Sequence, residues 1–188
     1  ESLAERVMTG FGGVAEYGIT VGWDKNFLKL ILISLLRRSH FQLVGSIRFG
    51  GTIKVEDAWA MGFHHLAIAV GAGLPKELVI PNSLAPGMRQ ANDFLMALQL
   101  SGAAKENSVA NLQVRLPAVV IGGGLTGIDA ATELQAYYLV QIQKMHDRYR
   151  SLVEAYGESA VRQQLVPHDL VVLDEYLLHA DQLIEERK

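Results

Sequence analysis

The tightest constraint in this chain is the run Gly122-Gly123-Gly124-Leu125-Thr126-Gly127, which follows Ala118-Val119-Val120-Ile121 and leads into a long stretch of helical periodicity. A Gly-x-Gly-x-x-Gly turn between an apolar strand and a helix is the setting of a dinucleotide fingerprint. The first glycine allows the tight turn, and the second lets the backbone approach a pyrophosphate with no Cβ in the way. The third allows close packing of the helix start, whose free amides face the anion. No Lys follows the glycines, which argues against a P-loop. The bland alternative is a glycine turn with a purely structural role.

Around this turn the apolar pattern alternates between strand and helix periods. Asp24 is a plausible N-cap for a helix over about Lys25 to Ser39, with Arg37 and Arg38 at its negative end. Phe41 to Ile47 reads as a strand, Val55 to Ala60 as a short helix, and His65 to Val70 as a strand buried on both faces, stopped by Gly71-Ala72-Gly73. Glu77 to Ile80 is a further short strand, Arg89 to Leu100 a helix, and Ala103 to Arg115 a polar connection. Beyond Leu134 the pattern stays helical, with breaks expected at Gly157 and Pro167; Leu170 to Leu173 fits helix better than strand. These elements imply an α/β fold with a parallel or mixed sheet, Rossmann-like, carrying a helical appendage at its C-terminal end.

Four segments, in order, resemble the flavoprotein reductases that include the glutamate synthase small subunit and adrenodoxin reductase. Gly12-Gly13-Val14 with Tyr17-Gly18-Ile19 is similar to that family's Gly-Gly-Leu-x-x-Tyr-Gly-Ile-Pro loop, with Val14 for Leu and Thr20 for Pro. Ala67 to Ala72 resembles its Ala-Thr-Gly-Ala strand end, with Val70 for Thr, and Gly87 to Phe94 resembles the segment before its nucleotide domain. Val119 to Asp129 resembles Val-Val-Ile-Gly-Gly-Gly-Asn-Thr-Ala-x-Asp, with Leu125 for Asn and Gly127 for Ala. The resemblance covers about residues 11 to 134.

It implies an incomplete two-dinucleotide flavoprotein: residues 1–112 as part of an FAD-binding half with a connection, 113–140 as the start of an NAD(P)-binding half, and 141–188 as a helical insertion. FAD would lie against Gly12, Gly13, Gly71 and Ala72. NAD(P)H would lie on Gly122, Gly123, Gly124, Thr126 and Gly127, passing hydride to the flavin and on to an unidentified acceptor. No strand and glycine turn precede Gly12, so the chain reads as an interior piece of a longer protein, inactive alone. The acid expected about 20 residues after the turn has no clear counterpart, since Asp147 falls where the pattern is helical. The competing reading is a degenerate Rossmann-like module whose helical tail recruits a protein partner without redox turnover.

Composition narrows the remaining classes. With no Cys there is no disulfide framework, thiolate metal site or catalytic thiol, and a cytoplasmic location is the expectation. Residues 141–188 hold 9 acidic and 6 basic side chains, so the net charge of -3 resides in that tail and no basic face for nucleic acid is expected. The longest greasy stretch, Phe27 to Leu36, is too short to span a bilayer. No metal site is expected: His64 and His65 are adjacent, and His146, His168 and His179 lack a second ligand at helical spacing. Trp59 and Phe63 are expected in the core. No residue is assigned a catalytic role, because in such a protein the cofactor performs the chemistry.

Overall fold

The structure, a computed structural model, describes residues 25–70 and 75–188, with side chains from residue 30. It has six helices among these residues: α1 (Lys25–Leu36), α2 (Val55–Ala60), α3 (Ala91–Leu100), α4 (Leu125–Tyr156), α5 (Glu158–Gln163) and α6 (Pro167–Glu186). Two compact units divide at residue 82.

The expected sheet is absent from the described residues. Among the described residues, the strand signal is confined to one isolated bridge between Phe49 and Ile53. Residues 41–47, 65–70, 77–80 and 118–121 have no strand pairing. The runs expected to be buried on both faces are open instead, with Ile68 74% and Val119 84% exposed. A strand exists only through bonds to its neighbours, and an apolar run that finds none has no ladder to hold it. The Rossmann-like α/β fold is therefore corrected to a helical one, and the flavoprotein resemblance built on it falls with the sheet.

In the unit of residues 23–81, α2 is the better-defined element. Lys54 N–H donates to the Asp57 carboxylate at 2.9 Å, satisfying the helix entrance. Its buried residue is Ala58, whereas Trp59 (48% exposed) and Phe63 (58%) are not in a core. The six-residue α2, which carries Trp59, is too short to hide more than one face, and Phe63 lies beyond its end. The expected N-cap Asp24 lies outside the described residues.

The unit of residues 82–188 holds the hydrophobic core. Phe94, Leu95 and Leu98 of α3 meet Tyr137, Tyr138 and Ile142 of α4 and Val172, Tyr176 and Ala180 of α6, with Ala103, Ala104 and Val114 filling in from the connection. Spacings of three and four place each set on one helical face. Tyr138 and Tyr176 pack edge to face, with ring centroids 6.0 Å apart and planes at 86°. The expected breaks fall in place: Gly157, at φ +82, ends α4 in a region open to glycine, and Pro167 begins α6 where its missing N–H costs nothing.

Candidate functional site

α4 carries two distinctive features, an open turn at its head and a polar stripe along its body. At the head, Gly122 has φ +124, a conformation that side chains disfavour. A Cβ at Gly122, Gly123 or Gly124 would meet nothing within 4 Å, so the turn faces open space. A Cβ at Gly127 would overlap the Gly122 carbonyl oxygen, so the turn folds back on the first helical turn and requires glycine there. The helix ladder begins with Ile128 N–H bonding the Gly124 carbonyl at 3.0 Å. No side chain caps this end and no acid sits in the first turn. The earlier amides, those of Leu125 and Thr126 included, precede the ladder at the positive end of a 32-residue helix.

Along the body, Tyr137, Gln141, Lys144 and Arg148 recur at spacings of four, three and four on one face and hold the connection from residue 103 to 115. Gln141 brackets Val114: Val114 N–H donates to Oε1 and Nε2 donates to the Val114 carbonyl, both at 2.8 Å. Leu112 N–H donates to the Tyr137 hydroxyl at 3.1 Å. Lys144 Nζ donates to the carbonyls of Ala103 and Lys105 at 2.8 Å and of Ser108 at 3.0 Å. Burial, with Arg148 beside it, lowers the pKa of this ammonium. Arg148 adds bonds to the carbonyls of Glu106 and Ser108.

The stripe was missed in sequence because its partners are main-chain groups, which leave no pattern in residue type. A turn sets up the bracket: the Asn111 carboxamide accepts from Gln113 N–H at 3.0 Å, and Gln113, at φ +44, leads directly into Val114. From α6, the Tyr176 hydroxyl donates to the Val114 carbonyl at 2.6 Å, and Glu175 pairs with Arg115. Tyr138 and His179 are joined through the hydroxyl and Nδ1 at 2.5 Å.

Of the expected cofactor residues, Gly122, Gly123, Gly124, Thr126 and Gly127 are brought together in the head turn. Gly12, Gly13, Gly71 and Ala72 lie outside the described residues. Asp147 lies in mid-α4, where its carboxylate accepts from Gln143 at 3.0 Å. Among the described residues no three His, Asp or Glu converge as a metal centre, and no helix is long and apolar enough to cross a membrane.

No protein-family model matches the chain. A curated relative, the uncharacterized protein RP006 of Rickettsia prowazekii (strain Madrid E), is 42% identical over 186 residues, 99% of this chain and 25% of that protein. The chain thus spans about a quarter of the length of the relative it matches. No solved structure matches it.

Proposed function

We propose that this chain is the nucleotide-anchoring piece of a longer protein, in which the turn from Gly122 to Gly127 receives the pyrophosphate of a nicotinamide dinucleotide, NADH or NADPH. The observation that supports it is the open, uncapped turn at the head of α4, with glycine at 122, 123 and 124. Free amides and the helix dipole suit an anion there, and the absence of Cβ atoms lets two phosphates approach the main chain. The reduced nicotinamide would serve as hydride donor to an acceptor outside this chain, and no residue here is given a catalytic role. The flavin expectation rests on glycines outside the described residues and is not part of this proposal.

The test is a calorimetric titration of NADH, NADPH and inorganic pyrophosphate into the chain and its Gly124→Val variant. A Cβ at Gly124 meets no protein atom within 4 Å, so the substitution fills the phosphate's approach more than it disturbs the fold. Binding by wild type, on the order of 1 mM or about −4 kcal/mol, and its loss in the variant at unchanged melting temperature support the reading. Equal binding by both, or none by wild type, rejects it.

A second reading has its own observation. Val171 and Leu178 lie seven residues apart on α6, and Leu152 and Tyr156 four apart on α4; all four are exposed. Same-face apolar residues open to water are the mark of a helix surface that docks a partner. Under this reading nucleotide binding is absent, and Val171→Asp with Leu178→Asp abolishes partner capture by the longer protein while the chain's helicity is unchanged.

A further inference from the structure

Where α4, α5 and α6 meet, a cleft of about 250 Å³ opens around His146. His146 is 6% exposed, and its Nε2 is buried without a hydrogen-bond partner in the protein. Its Nδ1 lies 3.0 Å from the Asp147 carboxylate. An ionised carboxylate only accepts, so in a neutral imidazole the ring hydrogen would sit on Nδ1 and Nε2 would present a lone pair. Facing that lone pair across the cleft, 3.6 Å away, is Oδ1 of Asp181. That is too long for a hydrogen bond, and with a neutral ring the pair is two acceptors facing each other. A donor seated beside both would satisfy them.

The rest of the cleft selects among donors. Asp181 and Glu158 bring two negative charges against the single positive charge of Arg150. The Tyr149 hydroxyl donates to Glu158 at 3.1 Å and fixes the carboxylate at the rim. Val153 and Leu177 supply apolar wall. A cleft of this size and lining fits a small group with a cationic head and a short aliphatic stem.

We propose that this cleft binds a primary alkylammonium group, its N–H donors shared between His146 Nε2 and the Asp181 carboxylate and its stem against Val153 and Leu177. The same chemistry is carried by a free aliphatic diamine and by a lysine side chain. The site is separate from the glycine turn and stands or falls independently of nucleotide binding.

The test is an NMR titration of the 188-residue chain, following the His146 imidazole signals, with cadaverine and, as the uncharged isostere, pentanediol. Cadaverine should shift the His146 signals in a saturable way and pentanediol should not. Asp181→Asn is on an exposed side chain, so the fold survives it, and loss of the charge-assisted bond should weaken cadaverine about tenfold or more. N-acetyl-lysinamide binding as tightly as cadaverine would point to a peptide lysine as the source; weaker binding would point to a free amine. Equal shifts by pentanediol, unchanged affinity in Asp181→Asn, or a response to zinc ions with none to cadaverine would each overturn the proposal.

Discussion

Gln141 holds the main chain of Val114 by both ends of its carboxamide, accepting from the amide and donating to the carbonyl at 2.8 Å each, in a buried setting. The bond pair ties the centre of α4 to a connection that has no secondary structure of its own. Gln141→Ala strands one buried N–H and removes one donor from the carbonyl. The expected loss is about 2 kcal/mol, since leaving a buried polar group unpaired costs its desolvation. Urea unfolding should show a lower midpoint at unchanged slope; an unchanged midpoint would mean that water replaces the amide without penalty.

Tyr176 shares the same acceptor. Its hydroxyl donates to the Val114 carbonyl while its ring packs on Tyr138. Tyr176→Phe keeps the ring and loses the bond, for about 1 kcal/mol. Because Gln141 and Tyr176 meet at one oxygen, their losses should not add, and a double-mutant cycle should give a coupling above about 0.5 kcal/mol. Simple additivity would argue against a shared acceptor.

The buried tyrosines set an alkaline limit. Burial, with the Glu175 charge adding to it and Arg115 opposing it, pushes the Tyr138 hydroxyl from 10.0 up to about 12. Burial raises Tyr137 and Tyr176 as well. A raised folded value means that the unfolded chain ionises first, so stability is intact below pH 10 and is lost as pH climbs through about 12. The tyrosinate absorbance of these three buried side chains should therefore appear together with loss of helical circular dichroism. Tyrosine titration complete near pH 10 with the helices intact would contradict this.

The head of α4 should be sensitive to a single methyl. Gly127→Ala puts a Cβ onto the Gly122 carbonyl, which is main chain and cannot swing aside. Gly123→Ala meets nothing within 4 Å. Amide exchange at residues 125–128 should accelerate in Gly127→Ala and stay near wild type in Gly123→Ala; equal behaviour of the two would show that the turn does not close on the helix.

The helices were legible because each carries its own signal. The periodicity over Arg89 to Leu100, the stop at Gly157 and the start at Pro167 are written in local chemistry and reappear within a residue or two. The strands were misread for a complementary reason. Val119-Val120-Ile121 has the right side chains for a buried strand, but a strand's existence depends on neighbours, and apolar character alone cannot supply them. The glycine turn was legible as a turn through Gly122 and Gly127, whose steric demands are local. The bracket from Gln141 to Val114 was not, because it joins a side chain to main-chain atoms 27 positions away.

α4 is the organising element of residues 82–188: it clamps the connection before it and starts from an open turn that, among the described residues, no strand pairing precedes. Residue-resolved amide hydrogen exchange across 112–150 tests this most directly. Slow exchange at Val114 and through the middle of α4, with rapid exchange at residues 118–124, is the predicted result. Slow, cooperatively exchanging amides at residues 118–121 would reveal strand pairing there and contradict it.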